Sequence, residues 1–311
     1  MTRVIQNNMW AIGLAVLLMV LLGLTKLIQP SFGFGGLESL SRAALPFAFA
    51  TAAMAVVVIV GGIDLSVGSM MAVCSVTAAL LMMTMGWVPA VLITLCVGLA
   101  MGAINGTLIV VTRVPDIVVT LAMLFVWEGT ALLIMNAPGG TADRALTGMV
   151  RGWTGPVPSA LLLVVLCVFA VWLPLRRSKL GLSIYATGSD EEAAFRSGVA
   201  VGRTRIAAYA ICGLYCAMGG LSLVMLTGIG EPVPGPYLMA SVAAVVLGGV
   251  VLGGGRGGML GPIIGVFVLR IIRTMLTLMG VDPNVTTIVE GSIMVAVVML
   301  GGFIMLRGRK T

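Results

Sequence analysis

The sequence predicts an all-α polytopic membrane protein of about ten transmembrane helices, and three observations carry that reading. Only 9% of the 311 residues are charged and 59% are hydrophobic, whereas a soluble domain carries roughly 25% charge. The apolar residues fall in runs long enough to cross about 30 Å of hydrocarbon, which takes roughly 20 residues. Within those runs polar and apolar residues do not alternate as the strands of a transmembrane barrel would.

Ten spans follow in order: 10–28, 42–61, 67–85, 88–111, 115–136, 157–175, 206–228, 236–253, 258–279 and 285–305. The first follows Arg3 like a signal peptide, but its apolar core is long and no small-x-small cleavage pattern comes before Ser31-Phe32-Gly33, so it reads as a retained helix. Residues 41–86 are nearly unbroken apolar sequence. As one helix they would run about 69 Å, more than two membrane thicknesses. The chain must therefore turn, at Gly61-Gly62-Ile63-Asp64-Leu65-Ser66-Val67-Gly68. The glycines release one helix, and Asp64 or Ser66 can cap the next; a gating or partner-contact role for Asp64 is the alternative.

In the fourth span Gly98, Gly102 and Gly106 repeat every four residues, and Gly257, Gly261 and Gly265 do so around the ninth. Such stripes let helices approach closely in lipid, within one subunit or across a dimer seam. Cys74, Cys96, Cys167, Cys212 and Cys216 all fall inside spans with no ligand spacing, and the chain has no histidine, so they read as packing residues.

With the N-terminus inside, Arg3, Arg113, Arg176, Arg177, Lys179, Arg196, Arg203, Arg205, Arg256, Arg307, Arg309 and Lys310 fall in the cytoplasm. Lys26, Arg42, Arg144, Arg151, Arg270 and Arg273 fall outside or within spans. That asymmetry puts both termini in the cytoplasm and attributes the net charge of +7 to inner loops rather than to nucleic-acid binding. No linker divides residues 1–311, which read as one transmembrane domain. Five plus five helices would make any internal repeat inverted, although the halves share no convincing sequence similarity.

One polar, charge-dense stretch, 176–205, interrupts the apolar sequence on the cytoplasmic side. Within it Ser189-Asp190-Glu191-Glu192 fits the S-x-x-E capping box. Acids occupy the first turn and Arg196 lies near the end, before Gly198. The pattern predicts a helix over Asp190–Ser197, too short to persist alone in water. Either it docks against something, with Ala193 and Ala194 keeping it slim and Phe195 as anchor, or it is a solvated connector.

Three motifs carry a family resemblance: GGIDLSVGS at 61–69, YATGSDEEAAFRSGV with GRTR at 185–205, and AAVVLGGVVLGGGRGGMLGPIIGV at 243–266. From about residue 40 to 303 the chain resembles the permease subunits of ribose-type sugar ABC importers, which belong to binding-protein-dependent systems of the inner membrane. The resemblance implies a permease paired into a homo- or heterodimer and fed by a periplasmic or tethered sugar-binding protein. It also implies that Ser189, Asp190, Glu191, Glu192, Ala193, Ala194, Phe195, Arg196, Ser197 and Gly198 form the coupling helix, inserted into a cleft of a separate ABC ATPase. ATP and Mg would be bound by that partner, with no cofactor on this chain. Accordingly the sequence holds no G-x-x-x-x-G-K-[ST] and no nucleophile–base or metal-ligand set, and reads as a transport subunit rather than an enzyme. The solute would be a sugar of the ribose or galactose class or a furanose-like signalling molecule. The alternatives are a permease for branched-chain amino acids or nucleosides, or an ion-coupled carrier relaying protons through Glu128 and Glu290.

Four charges lie within spans: Glu128, Arg270, Arg273 and Glu290. At 1.5 Å per residue all sit roughly 8–14 Å below the outer edge. The hairpin through Val281-Asp282-Pro283 should bring Arg273 level with Glu290. The cluster either locks helices nine and ten or lines the outer translocation path. As a pair, Arg273→Ala should be more harmful alone than together with Glu290→Ala, because a lone buried charge is worse than none.

Overall fold

A computed structural model describes residues 9–308, so Arg3, Arg309 and Lys310, which helped set the expected orientation, lie outside the described residues. The chain folds into α1 (Met9–Ile28), α2 (Phe34–Ile59), α3 (Val67–Met85), α4 (Trp87–Thr112) and α5 (Asp116–Ile134). A short helix α6 (Arg144–Met149) and a small antiparallel hairpin, β1 (Trp153–Thr154) and β2 (Val157–Pro158), follow. Then come α7 (Ser159–Arg177), α8 (Lys179–Ser189), α9 (Glu191–Arg196) and α10 (Val201–Thr227). The last helices are α11 (Tyr237–Leu247), α12 (Leu260–Leu278) and α13 (Pro283–Gly308). Among the described residues eight helices are long and apolar enough to cross a membrane, and α11 and α13 occupy the other two expected spans. The protein is an all-α polytopic membrane protein.

Helix α2 forms the centre. From Ala44 to Ile59 all but Phe47 are buried, as a helix apolar all round must be. It packs against α7, α10, α11 and α12, while α1 lies on the periphery against α12. The turn after α2 falls where glycine permits it: Gly61 has φ of +94° and α3 begins at Val67. The helix starts at Phe34, eight residues before the expected span.

The eighth crossing departs from expectation. Helix α11 has only 11 residues, about 16 Å at 1.5 Å each, and cannot span the bilayer alone. Non-helical chain at 228–236 makes the other half and runs down α3. There Gly230 pairs with Gly139, the Glu231 N–H donates to Ser75 Oγ at 3.1 Å, and Pro234 lies beside Gly68. Pro232, Pro234 and Pro236 withhold the backbone donors a helix needs. Such backbone is tolerated at membrane depth only where protein surrounds it.

Contacts sort the loops onto two faces, as alternate crossing requires. The Gly152 N–H donates to Glu38 at 2.7 Å and Phe34 meets Trp153 with ring centroids 5.1 Å apart, joining the start of α2 to the connection between α5 and α7 on one face. Segments 60–66, 113–116, 178–200 and 250–258 meet on the other. The expected long polar loop at 176–205 is mostly helical. Ser178 caps α8 by accepting from the Gly181 N–H at 3.1 Å, and Ile184 is buried. Helix α8 is too short and, with Gly181 and Gly188 in it, too weak a helix former to be read from the sequence.

Candidate functional site

Helix α9 projects from the second face. Its cap is Asp190, whose Oδ1 accepts from the Ala193 N–H at 2.9 Å. Ser189 does not cap it: that residue ends α8, and its hydroxyl donates to the Tyr185 carbonyl at 2.8 Å. The expected S-x-x-E box is therefore displaced by one residue, because α8 runs up to Ser189. Glu192 and Arg196 pair at 2.5 Å one turn apart. Ser197 donates to the Ala193 carbonyl and Gly198, with φ of +83°, turns the chain away. Ala194 faces inward at 5% exposure, while Phe195 is 71% exposed and Glu191, Glu192 and Ala193 also face outward.

A glycine junction fastens α8, and with it α9, to the membrane domain. A Cβ on Gly188 would collide with the Ile59 carbonyl, and Gly254 and Gly61 pack on the same spot. The Gly255 N–H donates to Ile59 O at 2.9 Å, and Tyr185 OH donates to the Gly257 carbonyl at 2.7 Å. The end of α2, the end of α8 and the 250–258 loop thus meet backbone to backbone at Gly188.

Beneath the junction lies a buried polar cluster. Asp64 is fully buried. Its Oδ1 accepts from the Ser66 N–H at 2.8 Å and hydroxyl at 2.6 Å, and its Oδ2 faces Asn105 Nδ2 at 3.4 Å and Cys212 Sγ at 3.8 Å. Burial pushes this carboxyl up from its ordinary range, and the bonds from Ser66 and Asn105 pull it back. Asn105 also donates to Ser66 Oγ at 2.8 Å and accepts from Trp127 Nε1 at 3.1 Å. The capping expectation is only partly met. Asp64 satisfies the N–H of Ser66, at the cap position, but neither side chain bonds the first turn of α3.

A second carboxylate adjoins this cluster. A Cβ on Gly62 would strike Asp116 Oδ2 and Tyr209 OH. Asp116 opens α5, accepting from Arg205 Nη2 at 2.6 Å and from Tyr209 OH at 2.6 Å. The other arm of Arg205, Nη1, lies 3.5 Å from Glu191 on α9. Sequence reading missed Asn105, Asp116, Tyr209 and Arg205 as site residues. Two signals were available: Asn105 is a lone amide in an apolar span, and Arg205 closes the GRTR motif.

Nearer the first face, Glu290 on α13 joins Arg270 Nη2 at 2.8 Å and Arg273 Nη1 at 2.9 Å, both from α12. The expected levelling of Arg273 with Glu290 is met. The Arg270 guanidinium also lies 4.1 Å from the centre of the Phe47 ring, which packs on Tyr237 at 4.8 Å. Glu128 stands apart on α5, whose packing partners are α3 and α4, so the structure gathers three of the four charges. The expectation for Arg273→Ala changes accordingly. It assumed a pair, but without Arg273 the carboxylate keeps Arg270, whereas removing Glu290 too strands Arg270 in the interior.

Residues 36–298 match the family described as branched-chain amino acid transport system / permease component. The chain belongs to this permease family. It is 29% identical over 293 residues to the ribose import permease protein RbsC of Escherichia coli K12, covering 92% of this chain and 91% of the relative. To the autoinducer 2 import system permease protein LsrD of Escherichia coli O9:H4 it is 32% identical over 257 residues, covering 79% and 77%. LsrD of Shigella flexneri matches to the same extent. No solved structure matches the chain.

The glycine stripes of this multi-pass inner-membrane permease pack within the subunit. A Cβ on Gly102 would collide with Tyr209 O, one on Gly98 with Gly213 O, and one on Gly106 would lie 2.8 Å from Ile206 Cα. Helices α4 and α10 therefore touch backbone to backbone, which keeps Tyr209 and Arg205 at fixed depth beside Asp116. Gly261 likewise meets Gly248, and Gly265 meets Ala244.

Proposed function

We propose that this permease is the membrane-spanning subunit of an ATP-driven importer for a sugar or sugar-like solute. It works with separate ATPase subunits that bind ATP and Mg, with a solute-binding protein on the far side, and with a second permease subunit, identical or related. The solute class is supported by the ribose and autoinducer 2 import permeases among its relatives. The single observation that carries the mechanism is α9 itself: a short capped helix with Phe195 turned outward, seated through Gly188 on the end of the central helix α2. An exposed aromatic on such a helix is a natural anchor for a partner's cleft.

The test uses the purified complex with its ATPase and binding protein. Glu192→Arg together with Phe195→Asp should abolish solute-stimulated ATP hydrolysis while the permease still inserts in the membrane. Full stimulation in that double variant would sink the docking assignment. A proton relay through Glu128 and Glu290 is disfavoured, because Glu290 is held between two guanidinium groups and Glu128 lies on a different helix pair.

We also assign Arg270, Arg273 and Glu290 to the wall of the translocation path. Of the three, Arg270 meets Phe47, which packs on Tyr237 where non-helical chain gives way to α11, and transporters place solutes at such broken helices. A Glu290→Gln permease that assembles normally yet does not transport is the expected result. Normal transport would leave the triad a lock between α12 and α13.

A further inference from the structure

We infer that Arg205 is the positioning residue that passes movement of α9 to α5 and the 60–66 turn. This rests on the reading of α9 as the ATPase contact. Arg205 stands at the inner end of α10 and spans two carboxylates on different elements. It holds Asp116 of α5 at 2.6 Å and reaches Glu191 of α9 at 3.5 Å. The first contact is a short charge-assisted bond. The second is at the limit of a hydrogen bond and tightens or parts with a small shift of α9.

Three further features make this a joint rather than a static brace. The chain entering α5 is strained: Arg113, with φ of +58°, is the one non-glycine residue in the left-handed region among the described residues. Such strain gathers at switch segments, and here it sits three residues before Asp116. A cavity of about 640 Å³, lined by Arg113, Pro115, Asp116, Glu191 and Arg205, leaves room for α9 to move against the α4–α5 connection. Asp116, finally, is wedged with Tyr209 OH against Gly62, and Thr120 of α5 donates to the Ile63 carbonyl at 3.2 Å. Displacement of Asp116 therefore presses on the turn that carries Asp64. Tyr209 stays fixed by the backbone contact of α4 with α10.

The role predicts a change in efficiency and not simply in amount of protein. The importer, assembled from this permease with its ATPase and binding protein, is reconstituted in proteoliposomes, and ribose uptake and ATP hydrolysis are measured together. Arg205→Gln keeps the bulk of the side chain but loses the charge. It should lower ribose taken up per ATP by about tenfold or more, the scale of a lost charge-assisted hydrogen bond. Arg205→Lys, a single ammonium that cannot hold both carboxylates in a fixed fork, should fall between. If Arg205→Gln fails to assemble, the Lys variant decides by the same ratio. A parental ratio in an assembled Gln variant, or in the Lys variant where Gln does not assemble, overturns the inference. Phe195→Asp separates the two ideas. If it leaves stimulated hydrolysis intact, the reading of α9 fails. If it abolishes stimulation while the Arg205 variants keep the parental ratio, only the joint fails.

Discussion

Two groups of buried charge can be set side by side. On the face that carries α9, Asp116 joins Arg205 and Tyr209, and Glu191 waits at longer range. Nearer the opposite face, Glu290 joins Arg270 and Arg273. Both satisfy their carboxylate with short bonds, as burial demands. They differ in what they connect. The triad ties two neighbouring helices of one hairpin, whose residues are 17 and 20 apart. The inner cluster ties α5 to α10 across a separation of 89 residues, abuts the turn after α2, and touches α9 through the longer contact of Arg205 with Glu191. A hairpin lock fixes a local geometry, whereas a bond between distant elements ties together parts that can move against each other.

The largest expected effect tests that contrast directly. Asp116→Ala leaves the mostly buried Arg205 with only the longer contact to Glu191 and Tyr209 OH without its acceptor, so it should destabilise the permease by about 3 kcal/mol or more. Thermal unfolding in detergent reads this loss, and coupling should fail with it. Glu290→Ala should follow at about 3 kcal/mol, because Arg270 is left with only the Phe47 ring. A loss below that of Trp127→Phe would mean that the triad does not hold α12 to α13. Trp127→Phe removes the donor to Asn105 Oδ1 and should cost about 1–2 kcal/mol, with ATP coupling reduced less than by Asp116→Ala.

Arg273→Ala gives the smallest change, below about 1 kcal/mol, since its side chain is the more exposed of the two arginines and Glu290 keeps its bond to Arg270. The double variant Arg273→Ala with Glu290→Ala should be worse than Arg273→Ala alone. The reverse ranking would return the site to a simple pair and remove Arg270 from it.

What was legible follows from the range of each interaction. The crossings could be read because a helix in lipid must satisfy its own backbone and show apolar residues along its length. Arg273 level with Glu290 could be read because a hairpin of regular rise fixes the register. The eighth crossing misled because composition alone does not separate a helix from apolar chain broken by Pro232, Pro234 and Pro236. The cap of α9 was placed one residue early because the end of α8 depends on Tyr185, Thr187 and Gly188 packing on other segments.

The sequence by itself determined that the chain crosses the membrane about ten times, where it turns after α2, and that a short capped helix lies in its longest polar stretch. Those outcomes depend on residues close along the chain, through hydrophobic length, capping and glycine. Only the tertiary structure decided that Asp64 meets Asn105 and Cys212, that Arg205 reaches both Asp116 and Glu191, and that Gly188 sits on Ile59. Each of these needs two or more helices at one depth and rotation, which the glycine contacts of α4 with α10 and of α8 with α2 establish. Periodicity says which face of a helix is polar or small; the packing partner decides what that face touches.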